Sequence, residues 1–205
     1  MREGSQVSAF GTANRPRGGA GRPAAALERD LLEGVKKHDL NAFEDLYRMY
    51  QPRLARFLAN LLPRPELIEE VLNDTMMVVW QTAGSFRGTS KLSTWVFAIA
   101  YRKALKARVK WRQPIEDEEP DLRVDPSPGP EQQAHHARLH DALVEAMDQL
   151  SADHRAVVDL TYFQGMGYRE IAEIMECPVD TVKTRMFHAR RRLKQAMSGN
   201  FPDWI

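Results

Sequence analysis

The sequence predicts an all-α fold of two small helical domains joined by a flexible acidic linker, the second containing a helix-turn-helix, and three observations predict it. Apolar residues recur at steps of three and four through most of the chain, with no sustained period-two alternation to suggest strands. Between 113 and 136 the sequence "QPIEDEEPDLRVDPSPGPEQQAHH" combines prolines with an acidic excess and few large apolar residues, the composition of an extended linker. Close to the C-terminus two short amphipathic segments flank the turn "CP". The second, "VDTVKTRMFHARRRLK" (Val179 to Lys194), carries six basic residues against one acidic.

Composition sets the outer bounds. A chain of 205 residues with 43% hydrophobic content has material for one large domain or two small ones. No apolar run approaches the roughly 20 residues of a membrane span. The opening residues lack the apolar centre of a secretory signal, so no membrane insertion and a cytoplasmic location are expected. Cys177 is the single cysteine, which excludes an internal disulfide and a cysteine-based zinc site. The formal net charge of +1 conceals a segregated pattern. Lys plus Arg against Asp plus Glu runs 4 to 1 over 1–26, 15 to 10 over 27–112, 2 to 7 over 113–138 and 8 to 10 over 139–205.

Taken in order, residues 1–26 are rich in Gly, Pro, Ala and Arg without hydrophobic period and read as a disordered basic tail. The first domain, 27–112, is helical throughout. Leu31 and Val35 begin one stripe, Phe43, Leu46, Tyr47 and Tyr50 a second, and Leu54, Phe57, Leu58 and Leu61 continue after Pro52. "LLPRPE" is a break, and the stripe Leu67, Val71, Leu72, Thr75, Met76 and Val79 starts near Pro65, as helices often do. "GSFRGTSKLS" is a loop by composition. A last helix carries Trp95, Ile99, Leu105 and Val109 with a basic remainder. Beyond the linker, 113–138, the second domain, 139–197, opens with Leu139, Leu143, Met147 and Leu150. Ser151 is placed to cap "ADHRAVVDLTYF", and Gly165 and Gly167 end that helix. "YREIAEIME" sets Tyr168, Ile171, Ala172 and Met175 against Glu170, Glu173 and Glu176. The final helix puts Val179, Val182, Met186, Ala189 and Leu193 inward. Residues 198–205 form a C-terminal tail, either docked or frayed.

Two stretches point to nucleic acid. An amphipathic helix with a one-signed outer face fits a major groove, where outward residues neutralise phosphates and reach base edges. Thr184, Phe187, His188 and Arg191 point most directly outward, flanked by Lys183, Arg185, Arg190, Arg192 and Lys194. DNA contact is favoured over a merely solvated face because the six charges share a sign. From Thr75 to Ile115 there is no acidic residue, while eight basic ones interleave with Phe86, Trp95, Phe97, Tyr101 and Trp111. Such mixtures hold single strands by stacking and by cations along the backbone, but aromatics at helical spacing also build cores, and composition leaves both readings open. His136 and His140 stand one helical turn apart, with His135 beside them. Further ligands are missing, so no metal is expected. Cys177 reads as a small packing residue rather than a redox switch.

"IEEVLNDTMMVVWQTAGSFRGTSKLSTWVFAIAYRKALK" resembles the second conserved region of extracytoplasmic-function sigma factors of the sigma-70 family. "LSADHRAVVDLTYFQGMGYREIAEIMECPVDTVKTRMFHARRRLK" resembles their fourth region, in the family's order. The resemblance implies that Glu69, Glu70, Asp74 and Met77 bind core RNA polymerase. It implies that Phe86, Arg87, Lys91, Trp95, Phe97, Tyr101, Arg102 and Lys106 melt and capture the promoter −10 element. Thr181, Lys183, Thr184, Arg185, His188, Arg191 and Arg192 would read the −35 element as duplex. It further implies core polymerase, promoter DNA and an anti-sigma factor as partners, no cofactor, and no catalysis by the chain itself, in keeping with the missing glycine loop and carboxylate pair. Arg102 and Lys106 stand where the family often has Asn and Asp, which alters the expected base preference at −10. The rival readings are a helix-turn-helix activator that does not bind polymerase, and a structural helical protein whose basic faces meet acidic partners.

Overall fold

A computed structural model describes residues 24–111 and 145–198 of the chain. Residues 1–23 of the basic tail, the linker, His135, His136, His140 and residues 199–205 of the C-terminal tail lie outside the described residues, whereas 24–26 and 198, which the sequence reading gave to the tails, are helical. Within them the protein is helical and has no strand. The helices are α1 (Ala24–Lys36), α2 (Leu40–Ala59), α3 (Pro65–Thr82), α4 (Leu92–Trp111), α5 (Ala152–Tyr162), α6 (Tyr168–Ile174) and α7 (Val179–Ser198), with a 3-10 turn at Ala83–Ser85.

Local chemistry sets the helix ends. The Asp39 side chain accepts from the Asn41 backbone N–H at 2.9 Å and starts α2. Pro65 occupies the first turn of α3, where its missing N–H costs no hydrogen bond. Gly34 lets α1 close on α2, since a Cβ there would sit 2.5 Å from the Ala42 Cβ. α2 runs through Pro52, in keeping with the apolar stripe that continues after it. Pro52 lies on the exposed side, while Leu46 and Tyr50 before it and Leu54, Phe57 and Leu58 after it share one buried stripe. Burial along that stripe outweighs the hydrogen bond that proline removes.

The first domain packs α2, α3 and α4 around Tyr50, Phe57, Met76 and Phe97, with the Phe57 and Phe97 rings edge to face at 5.2 Å. α1 adds Leu32 and Val35, and the Tyr50 hydroxyl donates to Glu28 at 3.1 Å. Burial, reinforced by the Glu28 charge, pushes the Tyr50 phenol well above its ordinary range. In the second domain Ser151 caps α5 as predicted, accepting from the His154 N–H at 3.4 Å. Gly165, at φ 65°, turns the chain, and Glu170 folds back to accept from the Gly167 N–H at 2.9 Å, opening α6. The turn from α6 to α7 holds Glu176 at φ 50°, a left-handed conformation that costs a residue with a Cβ more than it costs glycine.

From Val96 to Tyr101, α4 is buried on every side. A helix apolar all round needs partners on both faces. Here α2 and α3 cover one face and α6 of the second domain the other, so that the apolar cores of the two domains are continuous.

Candidate nucleic-acid interfaces

Helix α7 follows Pro178 and packs on α5 and α6 through Val182, Met186 and Ala189, all buried. That leaves Lys183, Thr184, Phe187, His188, Arg190, Arg191, Arg192 and Lys194 exposed on the other side. Of the residues expected at the −35 element, Thr184 returns its hydroxyl to the Asp180 carbonyl at 2.9 Å, and Lys183 pairs with the Asp180 carboxylate at 2.9 Å. Arg185 is half-buried and anchored to Asp153 at 2.7 Å, which braces the helix. Arg192 reaches the Gln149 carbonyl at 3.5 Å, and Thr181 is half-buried. Arg191 is exposed and forms no ion pair among the described residues. A shallow cleft of 320 Å³ lies along this face, lined by His154, Asp180, Thr181, Thr184, Arg185 and His188. Burial, with Arg192, His188 and Arg185 nearby, lowers the pKa of His154 and favours its neutral form.

The expected −10 residues fall into two groups. Phe86, Arg87, Lys91 and Trp95 gather at the loop before α4. There the half-buried Phe86 and Trp95 rings lie 5.2 Å apart, with Arg87 and Lys91 exposed beside them. Arg102 and Lys106 are exposed one turn apart further along α4. Phe97 corrects the sequence expectation: it is wholly buried against Phe57, so no ring face is left for a base. Tyr101 is also buried, but at the seam with the second domain. Burial and then Asp153 raise its phenol pKa, with Arg185 opposing.

On α3, Glu69, Glu70, Asp74 and Met77 are exposed together with Glu66 and Asn73, because Leu67, Val71, Thr75 and Met76 take the inward positions. Thr75 satisfies its buried hydroxyl by donating to the Val71 carbonyl at 2.6 Å. Met77 is 52% exposed, an apolar residue at the end of an acidic face. Asp74 is held by Lys103 of α4 at 2.8 Å, which couples this face to the helix of the −10 set.

Several residues that the sequence did not single out also belong here. Thr94 is buried and donates to Glu170 at 3.2 Å. Arg169 lines a groove of 490 Å³ with Gly88, Ser90 and Lys91. The exposed rings of Phe163 and Tyr162 carry Arg56 at 4.8 Å and Arg190 at 5.7 Å, respectively. Each pairing joins residues distant in sequence, so no local pattern announces it. Among the described residues no group of three or more His, Cys, Asp or Glu side chains is placed to hold a metal, and no helix is long and apolar enough to cross a membrane.

Comparison with known proteins fits this division. Residues 46–113 match the family described as Sigma-70 region 2, and residues 140–193 match Sigma-70, region 4. The chain is 30% identical over 178 residues to an ECF RNA polymerase sigma-E factor of Haemophilus influenzae, covering 82% of this chain and 93% of the relative. It is 27% identical over 180 residues to the RNA polymerase sigma-H factor of Pseudomonas aeruginosa, covering 83% and 93%. Among solved structures its fold is similar to CnrH in complex with the cytosolic domain of CnrY, with a TM-score of 0.60 and 21% identity over 84% of this chain and 98% of that one. It is also similar to the sigma factor RpoE in complex with the anti-sigma factor NepR from Bartonella quintana, with a TM-score of 0.59 and 24% identity over 78% and 98%. The chain belongs to the extracytoplasmic-function RNA polymerase sigma factors, non-catalytic subunits that direct core polymerase to promoters and promote DNA melting for transcription initiation.

Proposed function

We propose that the two domains divide this work by surface. The first, 27–112, grips core polymerase with Glu69, Glu70, Asp74 and Met77. It captures the opened −10 strand with Phe86, Arg87, Lys91, Trp95, Arg102 and Lys106, while Phe97 acts from beneath by fixing the helix. The second, 139–197, sets α7 in the major groove of the −35 element, with Thr184, His188 and Arg191 toward base edges. Lys183 and Arg192 lie toward phosphates, and Arg185 and Thr181 hold the helix in register. The linker, 113–138, connects them within the polymerase. By likeness to the RpoE that was solved with NepR, the chain is controlled by an anti-sigma factor. It works in the cytoplasm, where core polymerase is. Catalysis rests with the polymerase.

The observation that carries this reading is the separation of charge in adjacent helices: α3 exposes its carboxylates with Met77, whereas the loop and helix after it expose cations beside two aromatic rings. An acidic face suits a basic protein partner, and a mixed aromatic and cationic one suits a single strand. Reversing the first tests it. Glu69→Lys with Glu70→Lys leaves the fold intact, since both side chains are exposed. It is expected to weaken binding to core polymerase by at least about tenfold, measured by anisotropy of the labelled chain. Unchanged affinity in a folded variant would remove α3 as the gripping face.

A further inference from the structure

Helix α7 does not line its cleft alone. His154, in the first turn of α5, is half-buried and borders the same cleft as Thr184 and His188. Its ring meets the His188 ring edge to face, with centroids 6.4 Å apart. An element beside a reading helix meets the phosphates that border the groove rather than the bases within it.

The charges around His154 leave an excess of cation. From α7, Asp180 is held by Lys183 at 2.9 Å, and from α5, Asp153 is held by Arg185 at 2.7 Å. Arg192 reaches the Gln149 carbonyl at 3.5 Å, which takes a hydrogen bond without cancelling its charge. Burial first, then Arg192, His188 and Arg185, lowers the His154 pKa against the opposing pull of Asp153, and the imidazole of the free chain is neutral near neutral pH. Ser151 suits either protonation state. Its Oγ lies 2.6 Å from His154 Nδ1 and accepts from the His154 backbone N–H at 3.4 Å. The hydroxyl donates to a bare Nδ1, and its oxygen accepts from Nδ1–H once the ring is charged. Gaining a proton therefore costs His154 no hydrogen bond.

We propose that His154 is a further contact of the −35 interface, taking a backbone phosphate of the duplex beside the bases faced by Thr184 and His188, and that this contact takes up a proton. The inference rests on the assignment of α7 to that duplex. A phosphate against the ring supplies negative charge among the neighbouring cations, and it raises the imidazole pKa in the complex above that of the free chain. The sign of the pH dependence follows. The added binding is full below the free-chain value, which lies under the ordinary histidine value of 6.5, and it fades as pH rises through the higher value of the complex. Promoter affinity thus grows on acidification, by one more phosphate neutralised.

The test uses reconstituted holoenzyme and, as probe, a fluorescent duplex covering the −35 element of a promoter from which that holoenzyme initiates. Anisotropy gives the affinity at about pH 7.5 and about pH 6, each at several salt concentrations. The unaltered chain is expected to bind about three- to fivefold tighter at the lower pH, with a dependence on log salt steeper by about one. His154→Gln leaves the Ser151 cap on the backbone N–H in place and should melt where the parent does. It is expected to lose both the gain and the added slope. His154→Lys, a cation at both pH values, is expected to show the steeper slope at both. A gain on acidification as large in His154→Gln as in the parent, or a salt slope in the parent that does not change with pH, would overturn the proposal. The assignment it rests on is judged separately, by scrambling the −35 element of the probe. A scrambled probe bound as tightly as the original would overturn the assignment, and with it the proposal.

Discussion

Replacing Phe97 by alanine is expected to destabilise the first domain by about 3–5 kcal/mol, the range for truncating a fully buried phenylalanine. The ring is wholly enclosed, packs edge to face on Phe57 and lies under the Arg53 guanidinium at 5.4 Å from its centroid. A domain of this size has a total stability of about 5–15 kcal/mol, so the loss is a large part of it. The midpoint of thermal unfolding should fall by more than about 12 °C, read by circular dichroism of the full chain. Trp95→Ala provides the contrast, because Trp95 is only half-buried beside Phe86 at the mouth of the loop. That variant should keep most of its stability and lose promoter opening. If Phe97→Ala instead left the melting curve unchanged and removed only strand binding, Phe97 would be a base-stacking residue and the packing described for α4 would be wrong.

Arg191→Ala is expected to have the largest effect on −35 recognition of any single change on α7. Its neighbours Arg185 and Arg192 are engaged by Asp153 and by the Gln149 carbonyl, and Lys183 by Asp180, whereas Arg191 is held by no ion pair among the described residues. If it reads a base edge, its loss costs holoenzyme about 1–3 kcal/mol of affinity and relaxes preference at one position of the element. If it contacts phosphate, binding weakens evenly across sequences and the dependence on log salt becomes shallower by about one. Binding isotherms on duplexes with single changes in the −35 element, each at several salt concentrations, separate the two. No change in either quantity would remove Arg191 from the interface.

Much of this architecture is legible in the sequence, for a physical reason. Helices with one buried face write their period into the chain, as with Leu67, Val71, Met76 and Val79 on α3, or Val182, Met186 and Ala189 on α7. Caps are local too, so Ser151 and Pro65 stand where the structure needs them. α7 is the clearest case, because its burial and its charge are both displayed by one short segment. α4 is the hardest. Its apolar turns from Val96 to Tyr101 face two partners, so no polar stripe marks an outward side, and composition could not separate the buried Phe97 from the half-buried Trp95. At Pro52 a local breaker is overridden by the stripe on either side of it, and that continuing stripe is itself visible in the sequence.

The seam between the domains leaves no trace in the sequence at all. Lys91 and Glu170, Arg102 and Glu176, and Asn60 and Asp159 are brought together only by tertiary structure. In the sequence, Glu170, Glu173 and Glu176 read as a solvated face of a short helix. In the structure, two of the three are paired with cations of the other domain.

The central claim is that this chain gives core polymerase its promoter choice through two surfaces with different forms of DNA as their targets. Run-off transcription from a genomic fragment library, with reconstituted holoenzyme, tests it most directly. The account predicts initiation at a limited set of fragments that share a −35 and a −10 element, lost when either element is scrambled. Absence of initiation from every fragment, or specific duplex binding by the chain alone with no gain from core polymerase, would contradict it.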